Sequence, residues 1–184
     1  MLSTLTLLDN HDALREAGQI AERLGYFVEL DLEDSEGQYQ VVVERQITRI
    51  IELQAHHSWK PVCLISGGEV SCPVKGKGLG GRNHEFVLYS AARLASAYRQ
   101  SAVIVLSCGT DGIDGNSNAA GAVAGADLIR TAINQGVDIT GFISRSDSHS
   151  FFRQFGGVVY TGPTGNNLRD IRILLANPVS TKSE

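Results

Sequence analysis

Apolar residues recur along this chain with two spacings that alternate from one segment to the next. The three-to-four-residue spacing of an amphipathic helix occurs at residues 14–24, 41–55, 86–98, 119–133 and 148–155. Strand patterns, alternating or continuously apolar, occur at residues 5–8, 26–32, 62–65, 70–74, 102–106, 158–160 and 171–175. Strands that alternate with helices predict a layered α/β/α fold, in which helices pack on a central sheet.

Two glycines after the strand predicted at residues 62–65 indicate how the sheet is connected. Gly67-Gly68 is typical of a two-residue hairpin turn. Apolar and polar residues then alternate across residues 70–74, so we expect this segment to return as an antiparallel strand. A hairpin within an alternating α/β pattern predicts a mixed, mostly parallel sheet.

The chain length favours one domain. Its 184 residues are enough for a single α/β domain with its own core. No internal repeat or low-complexity tract divides the sequence, and the best candidate for a hinge is the polar segment 34–39. We expect residues 1–184 to form one unit, with the richest motifs within residues 62–175.

Charge and hydropathy exclude two classes of partner. The net charge is −4, and four lysines are present, two of them (Lys75 and Lys77) in one loop. Nucleic-acid binding relies on a basic surface, so nucleic acid is not expected as a partner. No apolar run approaches the roughly 20 residues that span a bilayer, and residues 1–9 lack the basic start of a signal peptide. No membrane partner is expected, and the predicted location is cytoplasmic.

Three polar, glycine-rich loops carry the candidate chemistry: loop one (residues 76–83), loop two (residues 109–118) and loop three (residues 161–167). Loop one follows directly on Lys75, leads into a helix and has Lys77 and Arg82, so three cations lie close together. Its glycines expose N–H groups, and the helix start favours an anion. We therefore predict an anion site, the alternative being a flexible connector with solvated cations. A G-x-G-x-x-G match in loop one lacks the strand and acidic residue of a dinucleotide site.

Loops two and three suit oxygen-rich ligands. Loop two follows a buried strand, where open α/β sheets bind ligands, and its Asp111 and Asp114 suit a hydrated Mg²⁺ or substrate hydroxyls. The alternative is a pair of ordinary Asp-Gly turns. Loop three offers hydroxyls and amides for phosphate or sugar-like oxygens, or it is a rigid turn fixed by Pro163. His84, at a predicted helix start, is assigned a capping or surface role.

Five motifs in order resemble one known family. They are Ile65-Ser-Gly-Gly-Glu69, Gly76-Lys-Gly-Leu-Gly-Gly-Arg-Asn-His-Glu85, Gly109-Thr-Asp-Gly-Ile-Asp-Gly115 with Ala119-Ala-Gly-Ala122, Asp147-Ser148, and Thr161-Gly-Pro-Thr-Gly-Asn-Asn167. Together they resemble the C-terminal half, or MOFRL domain, of type-2 glycerate kinases, whose relatives often carry the label hydroxypyruvate reductase. The resemblance implies ATP-dependent phosphorylation of D-glycerate to 2-phosphoglycerate, with Mg²⁺, in a cleft between two domains.

The resemblance also implies a set of site residues. Arg82 and Asp111 are the expected catalytic residues. Substrate or phosphate binding is expected of Glu69, Lys77, Gly80, Gly81, Asn83, Thr110, Asp114, Thr161, Thr164 and Asn167. The identity of any metal ligand stays open.

This chain departs from the family pattern in ways that keep alternatives open. It lacks the N-terminal kinase domain, His84 replaces the usual Gln, and Asn118 stands where the family usually has Asp. The first hypothesis is half of a glycerate 2-kinase, completed by a missing domain or a partner chain. The second is an inactive anion-binding or assembly module, and the third is a hydroxypyruvate reductase. The expected ligand is a glycerate-like hydroxy acid or phosphate, and a homo-oligomer stays open.

Overall fold

The computed structural model describes residues 8–33, 36–98 and 102–178 of the chain. Its helices are α1 (Asn10–Arg23), α2 (Tyr39–His56), α3 (Arg82–Ala97), α4 (Ala126–Asn134), α5 (Ile139–Ser144) and α6 (Ser148–Phe155). Its strands are β1 (Phe27–Asp31), β2 (Gly37–Gln38), β3 (Val62–Ser66), β4 (Val70–Ser71), β5 (Val103–Gly109), β6 (Gly121–Gly125), β7 (Val158–Val159) and β8 (Asp170–Ala176). Residues 5–7 of the strand predicted at 5–8 lie outside the described ranges. Across those ranges, no helix has the length and apolar character needed to cross a bilayer.

The main sheet is mixed, with antiparallel pairs in the majority. Its strand order is β1-β3-β8-β5-β6-β7. β1 and β3 run parallel, and the other four neighbouring pairs are antiparallel. The α/β class and the mixed sheet are confirmed, but the prediction of a mostly parallel sheet is wrong. β8 inserts antiparallel between β3 and β5, and β6 follows β5 without the crossover helix that a parallel pair requires.

Helices pack on both faces of the main sheet. Side chains alternate along β3, so Cys63 and Ile65 join a small core with Leu14 of α1. Val62 and Leu64 point to the opposite face and join the large core formed with α2, α3, α4 and α6. This is the α/β/α layering that the sequence pattern predicts.

The start of α1 connects two parts of the chain that border the glycine-rich loops. The helix begins in a capping box: the Asp9 side chain accepts from the Asp12 N–H at 2.9 Å, and the Asp12 side chain accepts from the Asp9 N–H at 3.1 Å. This cap places Asn10 so that its Nδ2 donates to the Asp170 carbonyl at 3.1 Å. The Asn10 Oδ1 accepts from the Gly68 N–H at 3.3 Å, so α1 joins the ends of β3 and β8.

The hairpin predicted at Gly67-Gly68 is wrong. Both edges of β3 are already occupied, because β1 and β8 flank it in the main sheet. The following strand, β4, instead pairs in parallel with β2, with Val70 opposite Gly37. Loop one therefore follows a short strand of a separate two-stranded sheet.

Part of the helix predicted at residues 119–133 is a strand. Residues 121–125 form β6, and α4 follows. Ala122 and Ala124 pack in the large core with α3, and a Cβ at Gly121 would lie 2.0 Å from the Ser107 carbonyl oxygen. The small residues therefore serve the close packing of a strand, although their composition favours a helix.

Candidate functional site

The three glycine-rich loops meet at one end of the main sheet. Loop two contacts loop one through Asn116, whose Oδ1 accepts from the Gly80 N–H at 2.8 Å. Loop two contacts loop three through the Thr164 hydroxyl, which donates to the Thr110 carbonyl at 2.6 Å. The loops therefore form one continuous polar surface beside the C-terminal end of β5.

A cavity of about 650 Å³ lies between β4, loop one and loop two. This volume is in the range of small-molecule sites. Among the residues that the sequence assigns to the site, those on the cavity wall are Glu69, Gly80, Gly81, Arg82, Asp111, Asp114 and Asn167. Those that do not reach the wall are Lys77, Asn83, Thr110, Thr161 and Thr164.

Arg82, the first residue of α3, is held on the cavity wall by two carboxylates. Its Nε and Nη2 donate to Asp170 at 2.6 and 3.0 Å, and Nη2 also donates to Glu69 at 3.1 Å. Asp170 is fully buried, whereas 35% of the Arg82 side chain is exposed. Burial raises the pKa of Asp170, and the hydrogen bonds from Arg82 oppose that rise. The remaining nitrogen, Nη1, makes no hydrogen bond to the described residues and is open to a ligand.

Asp114 caps α3 from a distant loop. Its Oδ1 accepts from the Asn83 N–H at 3.0 Å, and its Oδ2 accepts from the His84 N–H at 2.9 Å. This cap explains why α3 begins at Arg82 and not at the predicted residue 86. Burial alone would raise the pKa of Asp114, but the donors of His84 and Asn83 lower it. Both oxygens of this carboxylate are therefore occupied by the chain itself.

Asn83 lies behind the cavity wall and joins the two buried carboxylates. Its Nδ2 donates to Asp114 at 3.2 Å and to Asp170 at 3.0 Å, and its Oδ1 accepts from the Ser107 hydroxyl at 2.5 Å. Asn83 is buried, with 1% of its surface exposed. The structure therefore places this residue where it fixes Arg82 and α3, and not where a ligand would touch it.

His84 is buried, and its ring contacts both Asp114 and His149. The predicted surface role is therefore wrong, and His84 takes part in the cap of α3 only through Asp114. Its Nδ1 contacts Asp114 Oδ2 at 2.5 Å, and its Nε2 lies 3.0 Å from His149 Nδ1. Burial lowers the pKa of His149, and His84 adds to that effect. The cap of α3 comes from Asp114, and the ring of His84 holds that carboxylate in place through its contact with Oδ2.

Loop one is shaped by close packing, and the prediction that its glycines expose free N–H groups is wrong for two of them. The Gly78 N–H donates to the Arg145 carbonyl at 3.0 Å, and the Gly80 N–H donates to loop two. A Cβ at Gly81 would lie 2.4 Å from Asp114 Oδ1. The glycines are required because loop one passes directly over its neighbours.

The threonines of loops two and three bond mainly to nearby backbone. The Thr110 hydroxyl donates to the Arg169 carbonyl at 2.7 Å, and the Thr161 hydroxyl donates to the Gly162 carbonyl at 2.9 Å. The Thr164 hydroxyl donates to the Thr110 carbonyl, so two of the three hydroxyls join loop two to the segment from loop three to β8, and the Thr161 hydroxyl bonds within loop three. The three hydroxyls therefore fix loops two and three against each other.

Asp111 and Asn167 are the residues of these two loops that reach the cavity with polar atoms. Asp111 Oδ1 accepts from the Ile113 N–H at 3.0 Å, and Asp111 Oδ2 makes no hydrogen bond among the described residues. Asn167 Oδ1 accepts from the Arg169 N–H at 3.0 Å, which leaves its amide group free to donate. Together they offer an acceptor and a donor to a ligand.

Glu85 is a carboxyl group on the cavity wall that sequence reasoning did not assign. It is 3% exposed, and burial raises its pKa to about 7, against the opposing effects of Ser148 and Lys75. Its position three residues after Arg82 was the available signal, since residues three apart share a helix face. Asp170 and His149 were also missed, because their partners lie far away in the sequence.

No metal site is built by the residues that the structure describes. Among them, no group of three or more His, Cys, Asp or Glu side chains is arranged to hold a metal ion. Asp111 and Asp114 do not act as a pair, because the Asp114 carboxylate is turned to the start of α3. The Mg²⁺ implied by the resemblance does not fit this part of the chain as a protein-bound ion.

The layered fold, the three converging loops and the guanidinium on the cavity wall define one class of protein. Residues 62–170 match the MOFRL family. The match covers more than half of the chain, so this chain belongs to the MOFRL family.

The curated relatives include glycerate kinases and a protein that carries the name hydroxypyruvate reductase. The chain is 38% identical over 127 residues to glycerate kinase of Danio rerio, which covers 67% of this chain and 25% of that protein. It is 40% identical over 114 residues to D-glycerate 2-kinase of Thermotoga maritima, covering 62% of this chain and 27% of that protein. It is 44% identical over 117 residues to an Agrobacterium vitis protein provisionally named hydroxypyruvate reductase, covering 62% and 30%. The chain thus matches about a quarter to a third of the length of these relatives.

Solved structures agree on the fold. The chain is similar to the crystal structure of glycerate kinase from Thermotoga maritima, with a TM-score of 0.83 and 30% identity. That similarity covers 92% of this chain and 41% of the other. A Pyrococcus horikoshii protein is similar with a TM-score of 0.80 and 25% identity, covering 95% of this chain and 40% of that protein. The resemblance inferred from the five motifs is confirmed.

Proposed function

We propose that this chain is the MOFRL part of a glycerate 2-kinase-like enzyme, which transfers phosphate from ATP to D-glycerate and forms 2-phosphoglycerate. The proposal includes a second domain or partner chain as the other wall of the site. Its support is the shared family together with the short length of the match to the kinases.

The observation that carries the proposal is the position of Arg82. Its guanidinium lies on the cavity wall in a fixed orientation, because Asp170 and Glu69 hold two of its three nitrogens. A guanidinium in fixed geometry suits a carboxylate or phosphate oxygen, which Nη1 is open to receive. We assign Arg82 to the carboxylate of glycerate or to its phosphorylated product.

The other wall residues suit the hydroxyl groups of such a ligand. Asp111 and Glu69 are hydrogen-bond acceptors, and Asn167 has an amide donor. Arg82 is the cation among several carboxyl groups on this wall, so a bare polyphosphate finds little charge complementarity here. We therefore propose that ATP arrives with its own Mg²⁺ and is held mainly by the second wall of the site. Phosphoryl transfer needs chiefly positioning and charge neutralisation, which two walls supply together. Four further residues would contact phosphate only when the second wall closes the site: Lys77, Thr110, Thr161 and Thr164.

A non-catalytic binding module is the second candidate. It is favoured by the way the polar groups of the loops bond to each other, with Asp114 and Asn83 fully engaged inside the chain. The reductase candidate has less support. The glycines of loop one follow β4, which is not a strand of the main sheet, whereas a dinucleotide loop follows a central parallel strand.

Isothermal titration of the purified chain with D-glycerate, 2-phosphoglycerate and ATP-Mg²⁺ tests the proposal. Arg82→Ala is the test variant, and Arg49→Ala is the matched control, because Arg49 pairs with Glu29 and Glu52 away from the cavity. We expect D-glycerate to bind the parent and control chains and Arg82→Ala to weaken binding at least tenfold. Equal binding by all three chains would contradict the assignment of Arg82. Phosphorylation of glycerate after addition of a companion kinase domain would exclude the non-catalytic module.

A further inference from the structure

Arg172 is a fully buried arginine that lies behind the candidate site without reaching the cavity. It is in the interior of the main sheet, where β8 places it opposite Ser66 of β3 and Ser107 of β5. Its side chain is 0% exposed, and it is not among the residues of the cavity wall. Arginine is rarely buried this completely unless it is paired, so its partners indicate what it does.

The guanidinium of Arg172 holds the turn that carries Glu69. Its Nη2 donates to the carbonyls of Gly67 and Gly68, to the latter at 3.2 Å. Glu69 follows directly on this turn and accepts from Arg82 Nη2 at 3.1 Å. Arg172 therefore fixes the backbone from which one of the two carboxylate partners of Arg82 projects.

The same guanidinium is a second cation on Asp170. Arg172 Nη1 lies 3.9 Å from Asp170 Oδ2, the oxygen that also accepts from Arg82 Nε at 2.6 Å. Burial raises the pKa of Asp170, and the charges of both arginines are among the effects that oppose this rise. Asp170 is therefore shared between a cation on the cavity wall and a cation behind it.

This sharing matters because carboxyl groups outnumber cations around the cavity. Among the described residues, the wall holds one cation, Arg82, and four carboxyl groups: Glu69, Glu85, Asp111 and Asp114. Arg82 already pairs with Asp170 and Glu69, and a guanidinium divided between two carboxylates attracts a third anion weakly. Arg172 and Asp170 are both 0% exposed, so water and salt screen their interaction little. The charge of Arg172 therefore offsets Asp170 and leaves Arg82 more attractive to a ligand.

We infer that Arg172 is a positioning residue of the anion site: it holds the turn that carries Glu69 and offsets the charge of Asp170, so that Arg82 keeps both its orientation and its attraction for an anionic ligand. The choice of D-glycerate as that anion rests on the proposed function. Arg172 acts through Glu69 and Asp170 and does not touch the ligand.

Two variants separate the charge of Arg172 from its hydrogen bonds. Arg172→Lys keeps the positive charge, whereas Arg172→Gln keeps an N–H donor and loses the charge. The control is Arg93→Gln, because Arg93 pairs with Glu44 away from the cavity. Calorimetric titrations use D-glycerate and inorganic phosphate as probes, after circular dichroism has shown that each variant is folded.

We expect Arg172→Gln to weaken anion binding by roughly fivefold or more, Arg172→Lys to restore most of the loss, and Arg93→Gln to bind like the parent chain. Unchanged binding in Arg172→Gln overturns the inference. Equal weakening in the glutamine and lysine variants also overturns it, because a role in folding alone would not distinguish a charged from a neutral side chain.

NMR of the parent chain gives a readout that does not depend on how well a variant folds. Spectra of the arginine Nε–H groups, assigned through bonds, are recorded during the same titrations. We expect a saturable shift of the Arg172 signal, although this side chain lies behind the wall, and no shift of the Arg93 signal. Binding of an anion without a shift at Arg172 overturns the inference.

The two probes separate this inference from the proposed function. If phosphate binds with the expected order of affinities among the variants and D-glycerate does not bind, the proposed function fails and the role of Arg172 stands. If D-glycerate binding needs Arg82 but is unchanged in Arg172→Gln, the inference fails and the proposed function stands. Failure of both anions to bind contradicts both.

Discussion

Replacing the Asp114 carboxylate tests whether a distant loop fixes the start of α3. In Asp114→Ala, the backbone N–H groups of Asn83 and His84 lose their acceptor. Loss of a helix cap costs about 1–2 kcal/mol, and each buried donor left unpaired costs about 1–3 kcal/mol. Because His84 also loses its ring contact, we expect the free energy of unfolding to fall by about 3–5 kcal/mol.

Urea denaturation followed by circular dichroism measures this loss, and the melting temperature should fall by roughly 10 °C. The control is Asp127→Ala. Asp127 lies in the first turn of α4 with 97% of its side chain exposed, so its removal should change stability by no more than about 0.5 kcal/mol. Asp114→Asn keeps one acceptor oxygen and should lose less than Asp114→Ala. A loss below about 1 kcal/mol in Asp114→Ala would refute the capping argument.

The pH dependence of stability gives a second measure of the same cap. The pKa of Asp114 is lowered in the folded chain, so its contribution is present above the unfolded value, about 3.9, and is lost as the pH falls through the folded value. The parent chain should therefore lose stability in acid more steeply than Asp114→Ala does. Parallel curves for the two chains would contradict the assigned direction.

Three further predictions concern the same end of the molecule. Burial raises the pKa of Glu85 to about 7 from 4.5, so the stability contributed by this group falls as the pH rises between these values. The free energy of unfolding of the parent chain should therefore fall by up to about 3 kcal/mol over this pH range, and Glu85→Gln should remove that fall. Denaturation curves recorded across the range measure it, and the same pH dependence in both chains would contradict the prediction. Arg82→Ala removes the closer of the two guanidinium groups paired with the buried Asp170 and leaves Arg172 Nη1 at 3.9 Å, so it should lower the free energy of unfolding by about 3 kcal/mol; chemical denaturation measures this, and a loss under about 1 kcal/mol argues against the pairing. Gly81→Ala adds a methyl group 2.4 Å from Asp114 Oδ1 and should lower the melting temperature through a loss of about 1–3 kcal/mol; a variant as stable as the parent chain would show that loop one is not tightly packed.

Local signals in the sequence predicted the elements whose ends are set locally. α6 has the predicted boundaries at residues 148–155. α1 begins at Asn10, four residues before the predicted start at residue 14, and the capping box of Asp9 and Asp12 that fixes this start is local in the sequence. β6 was missed because the residues that allow it to pack closely, Ala122 and Ala124, also favour a helix. The cause of the strand lies in β5 and α3, which the local sequence does not contain.

The candidate site was predictable to the extent that its residues lie in recognisable motifs. Arg82 and Asp111 come from such motifs, and both lie on the cavity wall. The carboxylate that holds Arg82 comes from Asp170, which is 88 residues away in sequence. No spacing rule connects two such positions, and only the insertion of β8 beside β3 and β5 brings them together.

The position of β8 also sets the order in which the chain can fold during synthesis. β8 is the last described strand, yet it lies in the interior of the main sheet between β3 and β5. Until the ribosome has released it, β3 and β5 each present an unpaired edge that can join another chain. Because Asp170 arrives with the same strand, the guanidinium of Arg82 is fixed late, when translation of the described region is almost finished. Nascent chains arrested before residue 170 should therefore be substrates for chaperones, and those released beyond residue 176 should not.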